Sequence, residues 1–374
     1  IYHGFSEVSG ISKKIHYQVK GLRENGYEVH LCYYDFSSEG HRCRYINGKV
    51  IKDYGTGRMA AIRQRLDYDC IYKYCIDNGI QFVYARSFQN ANPVLISFFR
   101  KLRKAGIRSV TEIPTYPYDG EFNGFPLLTR MGLLVDKMFR NSLSSNMDAI
   151  VTFSAAKRIF GQRTINISNG VDFDSIPIHA FTKTDDAIHL VGVAEVHYWH
   201  GYDRMVTGLG EYYKKNPDGK KVYFHIVGGI WSGNLVDSKN APGILTLIDK
   251  YDIADYVIMH GQLFGEKLDG VFNKSIFAVG SLGRHRSGIT EIKTLKNREY
   301  ATRGIPFIYS ETDSDFDDKP YVVKAPADET PVDVERIIDF LDSFKMQPEE
   351  VRKTVEHLTW KIQMKKVVDD VMTR

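Results

Sequence analysis

Short apolar runs alternate with segments of helical spacing along the whole chain, and this alternation constrains the fold more than any other feature. In 12–25, Ile15, Val19 and Leu22 recur at helical intervals; Gly26 then ends the run and 27–34 follows as a strand-like segment. Further strand-like runs lie at 80–84, 107–113, 149–153 and 164–167, with a helical pattern such as 93–104 between them. The second half repeats the scheme, with strands expected at 188–194, 222–227, 256–260, 276–280 and 306–309. Helical patterns at 202–214, 241–251, 295–303 and 332–344 separate these, and 348–372 reads as one long final helix. Strands alternating with helices predict an α/β fold, with mostly parallel sheets covered on both faces. A chain of 374 residues is expected to form two such domains. Asn169-Gly170-Val171-Asp172 supplies turn chemistry at the boundary. The domains are therefore expected at 1–172 and 173–347. Ile1-Tyr2-His3 reads as the tail of a strand that starts upstream.

Charge narrows the partners. The net charge of +4 is too near balance for nucleic acid to be the main partner. Split after Asp172, the first part holds 24 basic and 15 acidic residues, net +9, and the second 26 and 31, net −5. A basic half joined to an acidic one points to an anionic ligand or surface for the first. With 43% hydrophobic residues the chain is globular, which excludes disordered and collagen-like classes. No apolar run reaches the roughly 18 residues of a membrane-spanning helix. Cys32, Cys43, Cys70 and Cys75 contain no Cys-x-x-Cys pair and no zinc spacing, so reduced structural thiols in a cytoplasmic protein are expected.

The segment 287–306 carries the most chemistry. Thr294 can cap a helix running to Arg303, Gly304 suits its left-handed C-terminal position, and Pro306 cannot continue it. Glu291 then lies in the loop before the helix and Glu299 on it, with Lys296, Glu299 and Arg303 sharing a face. A helix N-terminus favours phosphate, while carboxylates accept hydrogen bonds from sugar hydroxyls, so a nucleotide sugar suits the segment.

Glu291-x7-Glu299 followed by Tyr300-Ala301-Thr302-Arg303-Gly304-Ile305-Pro306 resembles the signature of retaining glycosyltransferase family 4. Three further stretches are similar to that family: Ser9-Gly10-Ile11-Ser12-Lys13-Lys14, the Asn169-Gly170-Val171-Asp172 turn, and Gly192 through His200-Gly201-Tyr202-Asp203. The resemblance implies the GT-B architecture, two facing Rossmann-like domains with a cleft between them, and a helix at 348–374 packing back toward the first domain. It implies that Glu291 contacts the transferred hexose, Glu299 the ribose, and amides near Thr294 and Leu295 the diphosphate, with Gly10 letting its loop approach the donor phosphates. It also implies a nucleotide-sugar substrate, UDP favoured, with no cofactor and no metal.

The chain departs from the family in two places. Where an Arg and a Lys usually face the diphosphate, the sequence reads Glu195-Val196-His197-Tyr198-Trp199-His200-Gly201, so His200 stands in the Lys position. Lys296, Arg284 and Arg286 are the candidates to replace the missing charge. Where many members carry a His near the sugar, this chain has the stiff, Pro-rich loop 111–121. There Glu112 is a catalytic candidate, and Tyr116, Asp119 and Glu121 are acceptor-site candidates. Arg58, Arg63 and Arg65 punctuate one segment, and Arg100, Lys101, Arg103 and Lys104, interleaved with Phe98 and Phe99, form a helix that suits an anionic membrane surface.

The expectation is a metal-independent retaining hexosyltransferase acting on a glycan or lipid-linked acceptor in bacterial surface polysaccharide assembly, peripheral at the inner face of the cell membrane. The rival is a catalytically inactive GT-B subunit binding a partner enzyme or glycan. A Rossmann oxidoreductase is disfavoured, because no Gly-x-Gly-x-x-Gly follows a strand.

Overall fold

The computed structural model describes residues 10–86, 90–119, 127–182, 186–229 and 242–373. They form two compact units: Ile1–Gly170 together with Leu358–Arg374, and Val171–His357. Ile1-Tyr2-His3 lies outside the described residues, as does Glu121.

In the first unit, α1 (Gly10–Glu24) precedes β1 (Cys32–Phe36), β2 (Arg42–Ile46) and β3 (Lys49–Asp53). These three strands make an antiparallel sheet of their own. The expected parallel strand at 27–34 is thus corrected: the strand starts at Cys32 and pairs with a hairpin the alternation did not reveal. Asn47 and Gly48 turn that hairpin with φ of 48° and 80°, the conformation Asn-Gly favours in a two-residue loop. Helices α2 (Gly57–Leu66) and α3 (Asp69–Asp77) lead into the main sheet, built from β4 (Phe82–Ala85), β5 (Arg108–Ile113), β6 (Ala149–Thr152), β7 (Arg158–Ile159) and β8 (Gln162–Asn166). Its order is β4-β5-β6-β8-β7, parallel except for β7. Among the described residues, an apolar space of about 630 Å³ lined by Val19, Leu22, Leu31, Val83 and Met364 lies beside β1 and β4, which do not pair. Two more helices complete this part, α4 (Pro93–Lys104) and α5 (Leu127–Ser144). Asn92 caps α4 by accepting from the Val94 and Leu95 amides at 3.0 Å each, with Pro93 in the first turn.

The second unit is one six-stranded parallel sheet. Its strands are β9 (Ile188–Val193), β10 (Val222–Val227), β11 (Val257–Gly261), β12 (Phe277–Val279), β13 (Phe307–Tyr309) and β14 (Val322–Lys324). The helices are α6 (Tyr202–Lys215), α7 (Ile244–Tyr251), α8 (Gly265–Lys274), α9 (Leu295–Arg303), α10 (Val334–Ser343) and α11 (Pro348–Lys353). The order β11-β10-β9-β12-β13-β14 is the doubly wound arrangement, with strand order reversing between β9 and β12. Leu190, Phe224, Ile226 and Phe277 from the sheet pack with Met205, Leu209 and Ile248 from α6 and α7. Strand β14 was not expected from the sequence; it is three residues long and only its central Val323 is buried.

The expected single helix at 348–372 is broken. α11 ends at Lys353, a 3-10 turn spans Glu356–Leu358, and α12 (Trp360–Met372) starts afresh because the Thr359 hydroxyl accepts from the Ile362 amide at 3.2 Å. The break also parts the units, since α11 belongs to the second and α12 to the first. α12 covers Val110, Ala149, Val151, Ile165 and Ile167 with Trp360, Met364, Val367 and Val371. Trp360 is gripped between α1 and the boundary turn: a Cβ on Gly21 would stand 2.6 Å from its backbone carbon, and one on Gly170 2.5 Å from its ring. Replacing Trp360 by Ala should cost about 3–5 kcal/mol, read as a lowered denaturant midpoint for the first unit.

Candidate functional site

In a doubly wound sheet, ligands meet the protein beyond the carboxyl ends of the strands where strand order reverses. Here those ends belong to β9 and β12, and the loops leaving them touch. The Leu282 amide donates to the His200 carbonyl at 2.8 Å. Gly201 has φ 65°, and a Cβ there would stand 2.6 Å from the Gly283 nitrogen, so only glycine lets the two loops meet. From the next strand, β13, the chain continues as Ser310-Glu311-Thr312. Glu291 forms an isolated parallel bridge with Thr312, and the Ile292 amide donates to the Thr312 carbonyl at 3.1 Å. That bridge sets Glu291 beside the end of β13, immediately ahead of α9.

α9 runs where the sequence placed it, ending at Gly304 with φ 85°. Its start differs from the expectation. Thr294 occupies the cap position but makes no side-chain cap, and its hydroxyl oxygen is buried without a hydrogen-bond partner. The first turn is held instead from beneath, by a residue the sequence reading missed. Arg298, 1% exposed, donates to the Thr294 carbonyl at 3.0 Å and to both oxygens of Asp313 at 2.7 and 2.9 Å, with a further bond to Asp315. The acidic stretch 311–318 was its available signal.

The three residues expected on one face of α9 divide. Glu299 accepts from Arg303 at 3.1 Å, and Arg303 also donates to Asp269 at 2.8 Å. Lys296 turns inward, its ammonium 5.4 Å from the Tyr202 ring centroid, buried and without a hydrogen-bond partner. Burial, and next the positive charge of Arg284, lower its pKa to about 7, against a raising pull from Glu311. Glu311 was also missed. It is 1% exposed, and neither carboxylate oxygen has a partner. Burial raises its pKa to about 7, although Arg284 and Lys296 act to lower it. Arg284 stands with its guanidinium carbon 5.7 Å from the Trp199 ring centroid.

Several expected roles need correction. His200 stands in the family's Lys position but is not a cation: it is 8% exposed and accepts from the His197 amide through Nδ1 at 2.9 Å. Burial, then Lys296, Arg284 and His197, hold its pKa well below the usual histidine range, so it is a neutral N–H donor at Nε2 and supplies no charge. Arg286 is committed elsewhere: it donates to Asp203, to Glu329 and to the Tyr198 carbonyl, which occupies every N–H of the guanidinium. It ties the 3-10 turn Arg284–Ser287 to the start of α6 and does not face an open anion site.

In the first unit, Glu112 is fully buried, with Lys14 at 2.9 Å, Gln18 at 2.7 Å and the Tyr84 hydroxyl at 2.6 Å all donating to it. Burial alone would raise its pKa, but Lys14 and Arg86 outweigh that and hold it down to about 2. A saturated, low-pKa carboxylate is no general base; Glu112 anchors Lys14 of α1 to the end of β5. Asp119 is paired with Arg140 at 2.9 Å and Lys137 at 3.0 Å, and Tyr116 packs edge-on to Phe160. Gly10 is the exposed first residue of α1, and a Cβ there would meet nothing within 4 Å; Leu295 is an exposed first residue of α9. On α4, Phe98 and Phe99 are core residues, so the aromatic side of the supposed membrane helix is inside; Lys101 pairs with Asp69. No helix among the described residues is long and apolar enough to cross a membrane.

The second unit therefore gathers Arg284, Lys296, Thr294, neutral His200 and Glu311 at the reversal point, beside a helix N-terminus. Buried, unpartnered polar atoms at such a place suit an anionic, hydroxyl-bearing ligand. In fold, the chain is similar to sucrose-phosphate synthase from Thermosynechococcus elongatus, at 14% identity and TM-score 0.64, over 100% of this chain and 96% of that one. It is also similar to an E. coli trehalose-6-phosphate protein bound with UDP-2-fluoro glucose, at 12% identity and TM-score 0.58, over 100% and 98%. A third is AviGT4, a glycosyltransferase involved in avilamycin A biosynthesis, at 13% identity and TM-score 0.55, over 97% and 89%. The likeness is one of architecture: two Rossmann-like bodies with parallel sheets, the GT-B fold of glycosyltransferases. No family model and no curated protein sequence matches the chain.

Arg298 is the residue whose partner the site can least lose. Replacing Asp313 by Ala leaves a buried guanidinium short of its main acceptor and should cost about 3–5 kcal/mol, seen as early unfolding of the second unit in urea.

Proposed function

We propose that this chain is a retaining glycosyltransferase of the family 4 type, moving a hexose from a nucleoside diphosphate, UDP first, to an acceptor hydroxyl. The observation that carries the reading is the buried, unpartnered ammonium of Lys296 at the start of α9, with Arg284 beside it, at the reversal point of a doubly wound sheet. The GT-B fold and the Glu291-x7-Glu299 spacing support it. So does the UDP-2-fluoro glucose bound to one structure of the same fold.

In this reading the diphosphate lies at the N-terminus of α9, where amides and Lys296 offset the charge that grows as the sugar departs. Neutral His200 adds an N–H, Glu299 takes the ribose hydroxyls and Glu291 the hexose. Glu112 is saturated, and no carboxylate of the chain is assigned as a nucleophile. Retention proceeds by same-face attack through an oxocarbenium-like state, the departing phosphate accepting the acceptor's proton, with no metal required. The acceptor is a lipid-linked glycan of bacterial surface polysaccharide assembly. The exposed Arg100, Lys101, Arg103 and Lys104 of α4 give a charge-only attraction to an anionic membrane.

A thermal-shift screen against UDP-, GDP- and ADP-sugars tests donor binding, because ligand at 100 times its Kd stabilises by about 2.7 kcal/mol. Replacing Lys296 by Met keeps the stem and removes the charge, so turnover should fall roughly tenfold to a thousandfold, by analogy with losing one preorganised oxyanion donor. Wild-type turnover in a folded Lys296→Met protein would place the phosphate elsewhere. Donor binding with no transfer to any acceptor would favour the inactive-subunit reading. Glu299→Ala should weaken UDP binding by about 1.5–3 kcal/mol in calorimetry, the worth of a hydrogen bond to a charged acceptor.

A further inference from the structure

Lys296 and Glu311 are a buried base and a buried acid that do not bond to each other, and neither has another hydrogen-bond partner. They lie near enough for each to feel the other's charge, Lys296 on the first turn of α9 and Glu311 in the loop after β13. A conventional buried ion pair would close to contact, as Arg298, two residues further along the helix, does with Asp313. This pair stays open, and a gap between two unmet polar groups is a place where a ligand, a proton or both can enter.

We propose that Glu311 is the positioning acid of the donor site: when the diphosphate of a nucleotide settles at the start of α9, the Lys296–Glu311 pair takes up a proton from solvent. This deepens the donor-site reading and rests on it. The physical cause is direct. A multiply charged anion placed beside a buried carboxylate makes its ionised form less favourable, and the same anion makes an ammonium more favourable, so both groups respond in one direction. Once protonated, Glu311 can donate a hydrogen bond toward the phosphate oxygens instead of repelling them.

The surroundings poise the pair for this. Lys296 faces Arg284, Glu311, His200 and the Tyr202 ring. Glu311 faces Arg284, Asp313, Lys296 and Tyr309, while Lys324 donates to its backbone carbonyl and not to its carboxylate. Burial lowers the lysine and raises the acid until both sit at about 7. Above that pH, the free site is expected to hold neutral Lys296 and ionised Glu311, and the liganded site to hold at least one proton more. Apparent affinity should therefore fall as pH rises above about 7, by up to about tenfold per pH unit for each proton coupled to binding.

The test is calorimetric titration of the full chain with UDP, then GDP and ADP, at pH 8 in Tris and in HEPES, whose ionisation enthalpies differ. The expected result is a buffer-dependent enthalpy corresponding to uptake of about one proton or more per nucleotide, with affinity declining from pH 7 to 9. In Glu311→Gln, which fixes the uncharged form, uptake should drop and the pH dependence should flatten. Nucleotide binding with buffer-independent enthalpy in the wild-type protein overturns this inference and leaves the donor-site reading standing. Uptake that is unchanged in a folded Glu311→Gln protein removes Glu311 from it. Failure of all three nucleotides to bind overturns the donor-site reading and this inference together.

Discussion

Arg298 lies on the buried side of α9 with its guanidinium donating to both oxygens of Asp313, and the geometry of the second unit's site descends from that pairing. The pair fixes where the helix begins, because Arg298 also holds the Thr294 carbonyl. It fixes the chain after β13 as well, since Asp313 in turn takes both oxygens of Asp317 on its amide at 3.2 and 3.1 Å. Glu311 lies two residues before Asp313, and Lys296 two residues before Arg298. Two charges satisfied completely are what permit two others, a few residues away, to stay unsatisfied without the loop rearranging to rescue them.

The alternation of strand and helix made both sheets legible, because parallel strands buried on two faces leave continuous apolar runs that periodicity detects. α9 was readable at its C-terminal end, where Gly304 and Pro306 leave few alternatives, whereas the cap expected from Thr294 does not form. The hairpin at Asn47-Gly48 escaped attention although its turn signal was present, since its strands are short and partly exposed. The break before Trp360 was hidden for a different reason. The residues on both sides have good helical spacing, and only the capping by Thr359 decides that two helices form.

Site residues were less legible than the fold, and the failures share a cause. Residue type and spacing state which groups are near one another in sequence, whereas ionisation depends on what surrounds each group in space. His200 stands in the family's Lys position yet is a neutral donor, because burial first, and then Lys296 and Arg284, hold its pKa down. Glu112 reads as a catalytic candidate and becomes an anchor because Lys14, Gln18 and Tyr84 converge on it from α1 and β4. Arg286 reads as a phosphate ligand and is consumed by Asp203 and Glu329. Glu311 drew no notice in an acidic run, and burial alone makes it distinctive.

The return of α12 to the first unit has a consequence for how the molecule is made. The ribosome releases all of the second unit before it releases the helix that covers Val110, Ala149, Val151, Ile165 and Ile167. Until α12 emerges, that apolar sheet face waits open, while the second unit, contiguous in sequence, already has its whole core in hand. Birth order and chain order are therefore inverted: the body that starts first finishes last, and its exposed sheet is the surface that chaperones would meet during synthesis.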